Sequence, residues 1–187
     1  TVNGYSSVAI NANSVTTLTG TNAEIVAAYA ADTASTVILD TDAKLTVSDT
    51  ITSAEANTLV THTSGEITAT ISTTAIADLD DLTGTGNAYT ITVADSSVTA
   101  AALNTVNAAT TVNVTATAVT AIGGTAAQLA TTYGGGITGL GNETIVLTDT
   151  TLAAATLTPT VNGYSSVAIN ANSVTTLTGT NTEIVAA

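Results

Sequence analysis

The amino-acid sequence predicts an α/β repeat fold, namely a right-handed parallel β-solenoid with one strand and one short helix in each coil of about 22 residues. Three observations predict it: a long internal repeat, segments in which apolar and polar residues alternate, and a helix-start pattern after most of those segments. Repeats of this kind cannot bury their apolar faces alone, so they form a continuous core only when neighbouring repeats stack.

The internal repeat sets the predicted domain organisation. Residues 160–187 repeat residues 1–28 with one difference, since Ala23 is Thr182 in the second copy. We therefore assign residues 1–159 to one full tandem repeat of six coils and residues 160–187 to the start of the next repeat. Two copies this similar predict that the chain is a window on a longer tandem array.

Seven segments alternate between apolar and polar residues, which is the period of a half-buried strand. Their first inward-facing residues are Val8, Leu45, Ile67, Tyr89, Val112, Ile145 and Val167. Most of these residues lie 22 or 23 positions apart, and two longer intervals, of 37 and 33, hold extra stretches at 37–42 and 137–142. We expect parallel stacking with right-handed crossovers, in which Leu45, Ile67, Tyr89 and Val112 form one inward row.

Short helices are predicted after most of these strands. A threonine followed three residues later by Glu or Gln is a capping box, in which both side chains satisfy backbone N–H groups at a helix start. The pattern occurs at Thr21/Glu24, Thr52/Glu55, Thr125/Gln128 and Thr180/Glu183. Each predicted helix has only about two turns, so packing on the strands must hold it in place.

The charge balance excludes several kinds of partner. The chain has 14 acidic residues, Lys44 as its only basic residue apart from one histidine, and a net charge of −13. Nucleic acid is excluded because phosphate binding requires Lys and Arg. No apolar run is long enough for a transmembrane helix, so we expect no membrane insertion. We interpret the acidic residues as a solvated surface that keeps a strand-rich protein soluble.

The residue types needed for catalysis are scarce. The chain has one histidine (His62), one lysine, no cysteine and no arginine, so a nucleophile cannot be paired with a suitable base. His62 follows a predicted helix, where a position near the C-terminus favours it electrostatically. A zinc site would need further histidines or cysteines. We predict that the protein is not an enzyme and has no catalytic or cofactor-binding residues.

Calcium is the metal that best fits the acidic residues. Asp40, Asp42 and Asp49 lie where an extra stretch meets a strand, and three further aspartates occur at 78, 80 and 81. Calcium takes about six to eight oxygen ligands, which carboxylates at alternate positions can supply. Because neither the EF-hand pattern nor the glycine-rich calcium repeat occurs, we predict no cofactor and no metal site. Calcium at Asp40, Asp42 and Asp49 stays as an alternative.

Three stretches resemble repeats of a known class of protein. They are residues 46–55 (TVSDTITSAE), 94–104 (ADSSVTAAALN) and 137–143 (ITGLGNE). Their repeat style is similar to that of the giant Thr/Ala/Val-rich proteins of the cell surface or secretome of marine cyanobacteria and other aquatic bacteria. The resemblance implies an extracellular or cell-surface location and a structural or adhesive role, and it transfers no catalytic residues.

These observations predict a structural protein. We expect a repeat segment of an extracellular filament, fibre or surface layer, built by end-to-end stacking of coils, with neighbouring repeats or identical chains as its partners. Two alternatives stay open: the stalk region of a calcium-stiffened bacterial adhesin, and an ice-binding solenoid. The ice-binding alternative depends on outward rows of threonine, such as Thr46, Thr68 and Thr90, that would form a regular array of hydroxyl groups.

Overall fold

Residues 2–5 and 7–186 are described by a computed structural model in which short helices alternate with short strands. The α-helices are α1 (Asn22–Thr33), α2 (Ser53–Val60), α3 (Ile76–Leu79), α4 (Ala100–Ala108), α5 (Ala126–Thr132) and α6 (Asn181–Ala186). Single 3₁₀ turns occupy Val2–Tyr5 and Val161–Gly163, and a distorted π-helical turn occupies Thr156–Thr160. None of the described helices has the length and apolar content that a bilayer crossing requires.

The strands of the described residues pair in parallel, as expected where helices connect them. In chain order they are β1 (Ile10–Ala12), β2 (Thr17–Gly20), β3 (Val37–Leu39), β4 (Lys44–Ile51), β5 (Ile67–Ile71), β6 (Ala88–Thr90), β7 (Ser97–Thr99), β8 (Val114–Thr115), β9 (Ala121–Gly124), β10 (Ile137–Thr138), β11 (Thr144–Leu147), β12 (Thr151–Ala153) and β13 (Thr176–Thr178). The sheet orders are β2-β4-β5-β6, β7-β9-β11, β1-β3, β8-β10 and β12-β13.

The first of two compact units comprises residues up to 73, residues 81–91 and residues 109–112. It contains the four-stranded sheet, the β1-β3 pair and helices α1 and α2. Alternate residues of β5 are buried, because successive side chains of a strand point to opposite faces. The large buried side chains of this unit are Ile25, Tyr29, Leu45, Ile51, Leu59, Ile67, Leu82, Tyr89 and Ile91.

The second compact unit comprises residues 74–80, residues 92–108 and the chain from residue 113 onward. It contains the β7-β9-β11 sheet, the β8-β10 and β12-β13 pairs and helices α3 to α6. The repeat boundary at residue 159 lies inside this unit, so the start of the second copy belongs to the same unit as the end of the first repeat. Its large buried side chains are Leu79, Leu103, Val106, Ile122, Leu129, Ile145 and Leu147.

The predicted fold class, a right-handed parallel β-solenoid, is wrong. The described strands lie in five separate small sheets of two to four strands, and helices and sheets together form two compact α/β units. The physical reason is that the coils are unequal. Paired strands are separated by 27 residues at Thr17/Lys44, by 22 at Leu45/Ile67 and by 20 at Ala69/Tyr89, so no single register runs through the chain.

The predicted inward row is correct at its first step and wrong at its second. Leu45 pairs with Ile67, but Tyr89 pairs with Ala69, two residues further along β5. The side chain of Asn87 occupies the earlier position, where its Oδ1 accepts the N–H of Ile67 at 3.0 Å. A shift of two residues keeps every inward side chain inward, so the alternating pattern cannot distinguish the two registers.

Three other predicted inward residues, Val8, Val112 and Val167, are exposed to solvent. Val8 is 74% exposed, and Leu18 of β2 is the residue that pairs with Leu45. Val112 is also exposed, and Ile122 of β9 pairs with Ile145. At Val8 and Val112 the inward position belongs instead to a short strand that ends in glycine, β2 or β9, and glycine weakens the alternating pattern that predicts a strand.

The predicted capping boxes are confirmed at the starts of α1, α2 and α5, with both reciprocal hydrogen bonds present in each. At α6 the Thr180 N–H donates to Glu183 Oε2 at 2.7 Å, and the Glu183 N–H donates to the Thr180 hydroxyl at 3.4 Å. These hydrogen bonds satisfy backbone donors that a helix start leaves open. Local sequence alone therefore specifies where these helices begin.

Candidate functional site: the junction between the first repeat and the second copy

The second copy packs against the end of the first repeat, and we call this contact the junction. It joins residues 161–178 to residues 133–154, all within the second unit. Strand β13 pairs in parallel with β12, with Leu177 opposite Leu152. Asn170, which precedes β13 in the chain, bonds to β11: its N–H donates to the Ile145 carbonyl at 2.8 Å, and its carbonyl accepts the N–H of Leu147 at 2.9 Å. The junction is thus made largely by backbone hydrogen bonds.

An aromatic stack forms the other end of the junction. The rings of Tyr133 and Tyr164 are parallel, with an interplanar angle of 2° and a centroid separation of 4.7 Å. Tyr133 follows α5, and Tyr164 follows the 3₁₀ turn Val161–Gly163, in which Val161 is fully buried. Stacked rings add about 0.5–1.5 kcal/mol to the stabilisation that their buried area provides. This stack therefore ties the second copy to α5.

A buried carboxylate is hydrogen-bonded to one of the two stacked tyrosines. Glu143 has no exposed surface, and its Oε2 accepts the Tyr133 hydroxyl at 2.8 Å. The Gly141 N–H donates to both carboxylate oxygens, at 2.9 and 2.8 Å. Burial raises the pKa of the Tyr133 hydroxyl, and the neighbouring Glu143 carboxylate raises that pKa further. Tyr133 is therefore kept neutral and donates its proton to the hydrogen bond with Glu143.

The second copy donates hydrogen bonds to the backbone on either side of this carboxylate. The Ser165 hydroxyl donates to the Glu143 carbonyl at 2.6 Å, and the Ser166 N–H donates to the Gly141 carbonyl at 2.8 Å. The Ser165 hydroxyl also accepts the N–H of Val167 at 3.1 Å. A backbone carbonyl buried without a partner would cost about 1–3 kcal/mol. The hydrogen bonds from Ser165 and Ser166 therefore favour one alignment of the second copy on the first repeat over a slipped one.

The two copies are buried at different positions although their sequences are nearly the same, since β2 pairs with the strand β4 that follows it and β13 pairs with the strand β12 that precedes it. Tyr5 is 90% exposed, whereas its counterpart Tyr164 is half-buried against Tyr133. The later part of the segment shows the reverse, since Ile25 is 2% exposed and its counterpart Ile184 is 43% exposed. Each copy therefore leaves exposed a part of the segment that is buried in the other copy.

The cover on Ile25 comes from the residues that follow the first copy. Helix α1 packs against β3 and β4, and β2 pairs with β4 over four residues. The N–H of Asn22, at the start of α1, donates to Asp49 Oδ1 at 2.8 Å. In the second copy, the residues that correspond to β3, β4 and Asp49 would belong to the continuation of the next repeat. The open face of α6 is thus the face that such a continuation would cover.

The predicted calcium candidates have separate surroundings. Asp49 is engaged with Asn22, as described above, and caps a helix. Asp40 Oδ1 accepts the N–H of Asp42 at 3.5 Å, and a hydrogen bond and charge repulsion from Asp40 raise the pKa of Asp42. Among residues 2–5 and 7–186, no three His, Cys, Asp or Glu side chains are grouped closely enough to hold a metal ion, and this includes the aspartates at 78, 80 and 81.

Aspartates within or shortly after strands instead serve as helix caps. Asp95 Oδ2 accepts the N–H of Ile76 at 2.7 Å, and Asp149 Oδ2 accepts the N–H of Ala126 at 2.8 Å, as Asp49 does for Asn22. A negative charge at a helix start also interacts favourably with the helix dipole. The sequence carries a signal for this role, because Asp49 and Asp149 occupy the same position in two similar stretches, 44–50 (KLTVSDT) and 144–150 (TIVLTDT).

The predicted threonine rows are only partly regular. Thr46 pairs with Thr68, but Thr68 then pairs with Ala88, and Thr90 pairs with Thr70. The predicted row through Thr68 and Thr90 is therefore wrong, for the same two-residue register shift that displaces Tyr89. A regular array of hydroxyls across β4, β5 and β6 is interrupted at this point.

The two basic side chains named in the sequence analysis also have structural partners. His62 stacks on Tyr29 with a centroid separation of 4.9 Å and an interplanar angle of 8°. Lys44 forms an exposed ion pair with Glu66, with 3.1 Å between Nζ and Oε2. Exposed pairs of this kind contribute only about 0–1 kcal/mol to stability.

No protein-family model, curated protein or solved structure matches this chain. The function is therefore argued from the junction itself. Sequence reasoning did not find its buried centre, because Tyr133, Glu143 and Ser165 lie up to 32 residues apart and carry no motif. The available signal was indirect: Glu143 is a glutamate outside every capping box and directly before a strand.

Proposed function

We propose that this chain is a structural repeat segment of an extracellular filament, fibre or surface layer in which successive repeats pack end to end. The observation that carries the proposal is that one 28-residue segment, present twice, packs on the residues that follow it in the first copy and on the residues that precede it in the second copy. A segment inside a longer array would have both neighbours and could make both sets of contacts. The partner of each repeat is then the next repeat.

The chemistry of the junction supports a mechanical role. Its contacts are backbone pairing between β12 and β13, the stacked tyrosines and the hydrogen bonds from Ser165 and Ser166 to backbone carbonyls of the first repeat. Such contacts depend on alignment, and repeats that contact only their neighbours gain stability with each added interface. A slipped alignment would remove the hydrogen bonds that Ser165 and Ser166 donate to Glu143 and Gly141, so these bonds add specificity.

Composition and resemblance support an extracellular location, and the contacts of the histidine and the lysine give no support for a catalytic role. A net charge of −13 opposes unspecific aggregation through exposed strand edges. The resemblance to giant bacterial surface or secreted proteins supports the extracellular location that we propose. We propose no catalytic role, since the histidine and the lysine have the structural contacts described above.

The test is the length of engineered arrays. Chains with one, two and three full repeats, each ending in the 28-residue start of the next, would be imaged by negative-stain electron microscopy and atomic force microscopy. The proposal predicts elongated particles whose length grows by a constant increment for each repeat.

The matched control carries Tyr→Ala at the Tyr164 position of every internal junction. It should give bent or separated particles with the same number of residues. Compact particles whose diameter grows only slowly with repeat number, in both sets of chains, would contradict the proposal.

A further inference from the structure

We infer that separate copies of this chain associate head to tail by exchanging their terminal segments, so that residues 1–28 of one chain replace residues 160–187 at the junction of another. The inference rests on the proposed function and adds to it a partner and a route of assembly. The surface that receives the incoming segment consists of β11, β12, Tyr133 and Glu143, which already bind the same sequence in the second copy.

The incoming segment can make the same contacts as the segment that it displaces. The first copy matches the second at every junction position, including Tyr5 for Tyr164 and Leu18 for Leu177. The single difference between the copies, Ala23 against Thr182, is exposed on its helix in both places. The first copy of another chain can therefore make the same junction contacts as the chain's own second copy.

The incoming segment is also better prepared for binding. In its own chain the first copy is already ordered on one face, because α1 packs against β3 and β4 and Ile25 is 2% exposed. The second copy has no such support beyond the junction, and β13, α6 and Val185 are exposed. Binding a preordered segment costs less conformational entropy than binding one that must be ordered by the same contacts.

Exchange releases one terminal segment and buries the open face of the other. Tyr5 passes from 90% exposed to the stacked position that Tyr164 occupies at 4.7 Å from Tyr133. The competing second copy is tethered to its own junction, and a tether gives it an effective concentration of about millimolar order. Association should therefore depend on protein concentration. Because the contact joins two different surfaces, the first copy of one molecule and the junction of the next, it can extend into open chains of molecules.

The experiment measures the mass of the intact 187-residue chain by light scattering and sedimentation from micromolar to millimolar concentration. We expect dimers and longer species to appear with increasing concentration. Limited proteolysis of the associated fraction should cut within residues 160–187, because the displaced segment is no longer protected.

Two matched variants of the same residue type separate the roles of the copies. Tyr5→Ala should lower the association constant by about 100-fold, since it removes one stacked ring and its buried area from the new junction only. Tyr164→Ala should raise the association constant by a similar factor, since it weakens the segment to be displaced. Both variants keep the acceptor ring of Tyr133.

Three results would overturn the inference: a monomer at every concentration, association with residues 160–187 still protected, or equal effects of the two variants. The proposed function is tested separately by the covalent arrays. If those arrays lengthen by a constant increment while separate chains stay monomeric, exchange fails and the structural role stands. If separate chains exchange while the arrays do not lengthen, the structural role fails.

Discussion

Alanine substitutions at equivalent positions of the two copies should differ in their cost to stability. Replacing isoleucine should destabilise the first copy more, and replacing tyrosine should destabilise the second copy more. The perturbation is a set of four single variants: Tyr5→Ala, Tyr164→Ala, Ile25→Ala and Ile184→Ala. In a pair of independent, identical segments the same substitution would cost the same in both places. Here the burial of the two copies differs, and the cost should follow burial.

The magnitudes follow from the structure. Ile25 is 2% exposed, so its truncation should cost about 2–5 kcal/mol of local stability, whereas truncation of Ile184, 43% exposed, should cost less than about 1 kcal/mol. Tyr164 is half-buried and stacked, and removing about 100 Å² of buried apolar ring together with the stack should cost about 3 kcal/mol. Tyr5 is 90% exposed, and its truncation should change stability by less than about 0.5 kcal/mol.

Hydrogen exchange measured by mass spectrometry is the suitable assay, because it reports each copy separately. Peptides covering α1 report on Ile25, and peptides covering residues 161–178 report on Tyr164. The measurement is made at micromolar concentration, where association between chains does not contribute. Circular dichroism of each variant checks that the fold is retained.

The reversal itself is the critical result. The isoleucine substitution should matter in the first copy and the tyrosine substitution in the second. Equal destabilisation by the two isoleucine variants, or by the two tyrosine variants, would show that the copies are buried alike and would refute the reasoning about the junction.

Four further predictions address other parts of the structure. Glu143→Gln places an amide donor against the hydrogen-bond donors that face the carboxylate, and should cost about 1–3 kcal/mol in urea denaturation; no loss would contradict the buried hydrogen-bond network. Gly65→Ala should cost about 1–3 kcal/mol because a Cβ there would overlap the backbone of the neighbouring segment, whereas Gly123→Ala, with open space at its Cβ, should be tolerated. Hydrogen bonds from Thr52 hold the pKa of Glu55 below its usual value of 4.5, so this stabilising contribution is present above that pH and is lost as pH falls through the lower folded-state pKa. Glu55→Gln should keep the capping box, as the glutamine of α5 does, and reduce the acid-side loss of stability in a melting series from pH 5 to pH 2; an unchanged acid profile would contradict this assignment. Removing divalent ions with a chelator should leave the melting temperature within about 2 °C, and a shift of many degrees would point to an ion site instead.

The helix starts could be predicted from sequence because they depend on contacts three residues apart. Thr52 and Glu55, for example, satisfy each other's backbone whatever the rest of the chain does. The first strand pairing, Leu45 with Ile67, was also predictable, since both strands alternate over several residues. These are the parts of the fold in which local chemistry is decisive.

The register beyond β5 could not be predicted, because pairing Tyr89 with Ile67 or with Ala69 buries the same side chains. The strand Ala121–Gly124 was missed because two glycines replace its alternating pattern. The buried Glu143 was missed for a different reason, since its partners come from α5 and from the second copy and only the fold brings them together. Long-range contacts of this kind leave no periodic signal in the sequence.

The most direct test of the account is to lengthen the chain by one further 159-residue repeat and to measure hydrogen exchange in residues 176–186. In the 187-residue chain these residues form β13 and α6, both exposed, and should exchange quickly. In the longer chain the added residues would supply the counterparts of β4 and Asp49. We predict that exchange slows by at least about tenfold, to the rates of residues 17–27 in the first copy. Unchanged exchange in the longer chain would show that successive repeats do not pack on one another, and would contradict the proposed structural role.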